Sequence, residues 1–166
     1  MARAAILLMN PKYPHNVGAV VRACAAYGVQ QMRYTGDRMD TALAEWSRLP
    51  REERMKGYKS VDWRRTDVPF QEFEDLTPVA IEVRPESEML TRFEHPENAL
   101  YVFGPEDGSL TSVSLRHCHR FVAIPARHCL NLAMAVGTVL YDRQAKLDPM
   151  FQMDMAATEG RHRFAS

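Results

Sequence analysis

The chain has 166 residues, is 46% apolar and carries 21 Lys+Arg against 21 Asp+Glu. That length buries a sizeable core in one domain without disulfides or metal, and a formal net charge of zero argues against indiscriminate coating of nucleic acid. Cys24, Cys118 and Cys129 are odd in number with no CxxC, which argues against a disulfide framework and for a reducing, cytoplasmic compartment.

Short apolar runs alternate with helical patterns, the signature of an α/β fold with a mostly parallel sheet and helices on both faces. Residues 4–9 read as the first strand, too short for a signal-peptide core. A Pro-rich loop follows, and Asn16 is expected to cap a helix that Gly28 stops. Residues 31–35 read as a second strand and 40–49 as a helix ending at Pro50. Strands are expected at 79–83, 100–103 and 121–124, with helices at 86–93 and 110–116 between them. The last helix, 130–145, is apolar on nearly every side until Tyr141, so it is buried or lies in an interface. No stretch is apolar and long enough to span a bilayer. The expectation is one domain over residues 1–148 and a flexible tail over 149–166.

Three segments carry chemistry. In the first, residues 10–28, Arg22 shares a helical face with Gly18, Ala19, Ala25 and Ala26. A guanidinium among small residues suits close approach by a ligand or another backbone, although a plain surface arginine fits the spacing equally well. In the second, 99–111, a strand runs into Gly104-Pro105-Glu106, and ligands of open α/β sheets gather at such strand ends. The same dipeptides also serve as ordinary turns. In the third, 121–141, Asn131 stands at the head of an apolar helix, where its amide must find partners, a helix cap being the simplest.

Taken together and in this order, the segments resemble the three motifs of the SpoU (TrmH) branch of the SPOUT RNA methyltransferases. They are similar in particular to its small tRNA wobble-ribose methyltransferases, whose middle motif also runs Phe-Gly-Pro-Glu, here residues 103–106. The resemblance implies a C-terminal deep trefoil knot and S-adenosylmethionine folded into loops 81–84, 104–108 and 124–130. Ile81, Val83, Gly104, Ile124, Cys129 and Leu130 would then line the cofactor. It implies a homodimer in which Arg22 reaches the partner's cofactor site, and a catalytic set of Arg22, Glu106, Asn131 and Asn16. The chain departs from the pattern at Ser109, where the family has glycine before Leu110, and at Cys129, where it has serine.

The expected activity is 2′-O-methylation of an RNA ribose, with tRNA favoured. The alternative is a dimer of the same fold that binds RNA and S-adenosylmethionine without turnover. A guanidinium has a pKa above about 12, which makes Arg22 a poor base. Its expected role is to clamp a phosphate and stabilise developing alkoxide charge, while Glu106 orients Arg22 or the ribose and Asn131 braces Glu106 or the cofactor loop. The basic stretch containing Arg48, Arg51, Arg54, Lys56 and Lys59 is the expected RNA contact, with Tyr58 and Trp63 available for stacking, and a solvated helix face is the alternative. His117, Cys118, His119, His128 and Cys129 match no zinc spacing, and no metal is expected.

Overall fold

Strand β1 (Arg3–Leu8) runs through the middle of the molecule, and Ala5, Ile6, Leu7 and Leu8 are all fully buried. Side chains alternate across a strand, so Ile6 and Leu8 enter one apolar cluster while Ala5 and Leu7 enter another on the opposite face. A strand buried on both faces reads as a continuous apolar run, as parallel sheets require. The computed structural model describes residues 3–45 and 59–148.

In chain order the elements are β1, α1 (Pro14–Ala26), β2 (Gln31–Tyr34), α2 (Arg38–Glu45), β3 (Asp62–Arg65), α3 (Pro69–Glu72), β4 (Thr77–Ile81), β5 (Glu88–Met89), a 3-10 turn at Leu90–Arg92, β6 (Asn98–Phe103), α4 (Ser112–Leu115), β7 (Arg120–Ala123) and α5 (Leu132–Leu147). The strands form a seven-stranded sheet in the order β3-β2-β1-β6-β4-β7-β5, and every pairing is parallel. Helices α1 and α5 pack together over the face of Ile6 and Leu8, with Met39 of α2 beside them. The other face is covered by Phe73 and Leu76 after α3, by Leu110, and by Leu115 and Cys118 at the end of α4. Because β7 lies between β4 and β5, the last strand sits inside the span of the 82–97 connection, the strand arrangement a knotted chain needs.

Several expected elements are corrected. The helix expected at 86–93 is the short strand β5 followed by a 3-10 turn, and the one expected at 110–116 shrinks to Ser112–Leu115. Its cap is Thr111, whose hydroxyl oxygen accepts from the Ser114 N–H at 3.2 Å. Helix α1 starts two residues before Asn16, because Pro14 fixes a helical φ at its first turn. Asn16 is therefore inside the helix and the cap position is Tyr13. Helix α2 begins at Arg38, and its expected continuation to residue 49 lies outside the described residues.

Edge strand β3 was not expected, since it is charged and largely exposed. Arg33 of β2, 2% exposed, secures that edge by donating to Asp62 Oδ2 at 2.7 Å, to the Asp62 carbonyl at 2.7 Å and to Glu72 Oε2 at 2.9 Å. Arg33 is the buried member, while the side chains of Asp62 and Glu72 are 56% and 21% exposed, so losing one carboxylate leaves the guanidinium the other.

Candidate functional site

The register aligns the carboxyl ends of four strands. Leu8 lies opposite Phe103, and Ile81 lies opposite both Phe103 and Val122. The loops that leave β1, β6, β4 and β7 therefore emerge side by side along one edge of the sheet. Two backbone bonds seal their bases, from Met9 N–H to the Phe103 carbonyl at 2.9 Å and from Glu82 N–H to the Val122 carbonyl at 3.0 Å.

A polar relay crosses this edge. Asn131 Nδ2 donates to Asn16 Oδ1 at 2.9 Å, and Asn16 Nδ2 donates to Glu106 Oε1 at 2.9 Å. Asn131 also caps α5, its Oδ1 accepting from the Ala133 N–H at 2.9 Å, which is the simple role expected for it. Asn16 is 4% exposed, so both ends of its amide are satisfied by side chains. The Glu106 carboxylate also accepts from the Lys12 N–H at 2.8 Å and the Tyr13 N–H at 3.2 Å. It thus anchors the two residues that lead into α1 and places negative charge at the positive end of that helix.

Arg22 is exposed on α1 and makes no hydrogen bond or ion pair among the described residues. Among the described residues the Glu106 carboxylate bonds to Asn16 and to the Lys12 and Tyr13 N–H groups rather than to Arg22. Asn131 reaches Glu106 only through Asn16. Of the residues expected to line a cofactor, Val83 is 80% exposed, Leu130 is 41% exposed and Cys129 is exposed, while Ile81, Gly104 and Ile124 are half-buried. A Cβ at Gly104 would stand 3.2 Å from the Leu110 nitrogen and 3.3 Å from the Ser109 carbonyl carbon. The close approach that glycine permits here is that of the chain's own backbone.

Sequence reasoning missed the groups that brace these loops. Glu82 accepts from the Leu110 N–H at 3.0 Å and so ties the loop after β4 to the loop after β6. Asp107 receives both Arg38 guanidinium nitrogens, at 3.0 and 2.9 Å, and Lys12 Nζ at 3.3 Å. Arg38 first, then Lys12, pulls the Asp107 carboxyl down to about 2. No periodicity signals these partners, which are brought together by the strand order alone. Of the expected RNA contacts, Lys59 is exposed, whereas Arg48, Arg51, Arg54, Lys56 and Tyr58 lie outside the described residues. Trp63 packs half-buried against the core, with its ring 6.2 Å from that of Tyr34. Arg64 and Arg65 are engaged by Glu72, Asp40 and Asp67. Cys24 is core, as expected, and burial pushes its thiol up to about 12.

The carboxyl-end loops of the parallel strands thus gather around an Asn–Asn–Glu relay. The SpoU rRNA methylase family model matches residues 3–141, and the chain belongs to that family. A tRNA (cytidine-2′-O-)-methyltransferase, TrmJ, of Methanocaldococcus jannaschii is 27% identical over 154 residues, covering 85% of this chain and 67% of that protein. A structure solved in work on 2-OH methylation of C/U34 on tRNA superposes with a TM-score of 0.74 at 25% identity, covering 89% of this chain and 98% of the other. The SpoU methyltransferase AviRb from Streptomyces viridochromogenes, in complex with AdoMet, has a TM-score of 0.73 at 17% identity. There 88% of this chain is matched, and it spans 61% of the length of AviRb.

Proposed function

We propose that this protein is an S-adenosylmethionine-dependent 2′-O-methyltransferase of RNA ribose, acting on tRNA as a homodimer. The observation that carries the proposal is the Asn131–Asn16–Glu106 relay, which locks the three motif segments together at the strand ends where a cofactor would lie. The tRNA assignment is supported by the activity of the archaeal relative. The residues present fit the cofactor. Exposed Val83 and Leu130, with half-buried Ile81 and Ile124, offer apolar surface to an adenosine beside the backbone groups of the three loops. When bound, S-adenosylmethionine supplies an electrophilic methyl group.

The remaining work falls to the chain. The ribose oxygen must be held in line and must lose its proton as it gains the methyl, and positioning meets much of that barrier. Arg22, without a hydrogen-bond or ion-pair partner among the described residues, clamps a neighbouring phosphate and stabilises charge on the oxygen. Glu106 acts as a brace, since three N–H groups already converge on its carboxylate. It fixes the start of α1, and hence Arg22, relative to the loop after β6.

The dimer is supported by a face of α5 that the monomer leaves open. Met134 is 62% and Tyr141 59% exposed, and a Cβ at Gly137, between them on the helix, would meet no atom within 4 Å. α5 packs against α1, so a second copy seated there would bring Arg22 to the partner's loops. The test is transfer of labelled methyl to separated tRNA and rRNA pools, followed by nucleoside analysis. Label in a 2′-O-methylnucleoside of tRNA is expected. Label on a base would overturn the ribose assignment, and cofactor binding without transfer to either pool would favour the non-catalytic binding dimer.

A further inference from the structure

The start of α1 carries an arrangement that the relay does not use. Tyr13 is 41% exposed and His15 is exposed, yet their rings stack, with centroids 5.3 Å apart and planes inclined by 25°. Lys12 Nζ sits 5.2 Å from the Tyr13 ring centroid. Tyr13 is thus backed by a cation and a ring, while His15 has Tyr13 as its one ring partner among the described residues. The pair is held in place. The Tyr13 N–H bonds to Glu106 at 3.2 Å, its carbonyl accepts from the Asn16 N–H at 3.0 Å, and Pro14, between the two residues in sequence, fixes the first helical turn. Rings ordered before a ligand arrives lose little entropy when it binds.

We infer that the Tyr13–His15 stack is a platform for a nucleobase of the RNA substrate, the base lying on the outer face of His15. This rests on the RNA methyltransferase reading above. Every base has a π-face, and aromatic side chains bind unstacked bases in this way without needing a particular sequence. The neighbouring charge agrees, because His15 and Arg22 are seven residues, two helical turns or about 10 Å, apart on one face of α1. A base on the platform therefore leaves its chain's phosphates within reach of the Arg22 guanidinium.

Two measurements on the full-length protein test the platform. In the first, kinetics with the tRNA pool are compared for wild type, His15→Ala and His15→Phe. His15→Ala is expected to raise KM for tRNA about tenfold, the size of one lost base–aromatic stack, with the larger share of the loss in KM rather than kcat. S-adenosylmethionine affinity and dimer mass should be unchanged, and His15→Phe should restore most of the loss. In the second, ultraviolet cross-linking of the wild-type protein to tRNA should give a nucleotide adduct on the peptide that spans residues 12–16. An unmoved KM, a His15→Phe variant as impaired as His15→Ala, dissociation of the dimer, or adducts only elsewhere would overturn the platform. A cross-link at this peptide without methyl transfer to any RNA would keep the platform and sink the methyltransferase reading. Transfer with neither cross-link nor KM effect would do the reverse.

Discussion

Asn16→Asp keeps the shape of the relay's central side chain and turns its donor toward Glu106 into a carboxylate oxygen. The contact that is now an N–H bond of 2.9 Å becomes a meeting of two negative charges. At about 4 Å and an effective dielectric near 20, two unit charges interact by about 4 kcal/mol. Glu106 is half-exposed, so water discounts this to about 2–3 kcal/mol. For a chain of this size that is a fall of about 4–12 °C in Tm near neutral pH. The sign of the pH dependence follows. The new carboxyl at position 16 is held protonated to a higher pH than in the unfolded chain, so it destabilises the fold above the ordinary carboxyl pKa near 3.9 and the penalty disappears below it. One proton caps the penalty at about 1.4 kcal/mol per pH unit above that value, or about 1.5 kcal/mol at pH 5. Thermal melts of wild type and variant at about pH 5 and pH 7.5 measure both numbers. Equal melting at the higher pH, or a deficit of the same size at both, would refute the relay as the contact that joins α1 to the loop after β6.

Three other tests address the far end of α5 and its open face. Tyr101 is fully buried, and its hydroxyl donates to His95 Nδ1 at 2.6 Å and accepts from Arg143 Nη1 at 3.1 Å. Tyr101→Phe leaves His95 Nδ1 buried without a donor and is expected to cost about 1–3 kcal/mol in urea unfolding, whereas a loss under about 0.5 kcal/mol would deny the network its role. That bonding suits a neutral imidazole whose Nε2–H donates to Asp142 Oδ2 at 2.8 Å, and burial, opposed by Asp142, lowers the His95 pKa. The stability tied to His95 is thus complete above the unfolded value near 6.5 and falls as pH drops below it, until the folded group also protonates. Urea midpoints at about pH 5.5 and 7.5 should differ more for wild type than for His95→Gln, and equal differences would count against it. Gly137→Ala is expected to stabilise an isolated monomer by about 0.5–1 kcal/mol, since a Cβ there meets nothing within 4 Å. Gly137→Leu should then lower dimer mass in sedimentation, and an unaffected dimer would place the interface elsewhere.

The strands that read clearly from the residues are those buried on both faces. β1 and β6 bury their apolar runs almost completely, so no alternation is needed to find them. Strand β3 was illegible because Asp62–Arg65 is a charged edge held by Arg33, a tertiary partner that no local pattern reveals. Strand β5, two residues long, pairs only with β7 and has no period of its own. Asn16 was expected as a cap because asparagine favours that position, but Pro14 had already started the helix. The motifs named Asn16, Glu106 and Asn131 individually. Their union could not be read locally, since Asn131 and Asn16 are 115 positions apart and Asn16 and Glu106 are 90 apart. The Arg38–Asp107 clamp escaped for the same reason.

The place of β7 in the sheet also bears on synthesis. This strand follows β6 in the chain but pairs with β4 on one side and β5 on the other. A nascent chain that has not yet released Arg120–Ala123 from the ribosome therefore has an open edge on β4 and no partner for β5. The loops after β4 and β7 are juxtaposed only by that late insertion, and Asn131 emerges later still. A product terminated before β7 thus carries no complete site, since Asn16 and Glu106 are present without Asn131. It carries instead an unpaired apolar strand edge, a template for aggregation that quality-control proteases would meet before any substrate did.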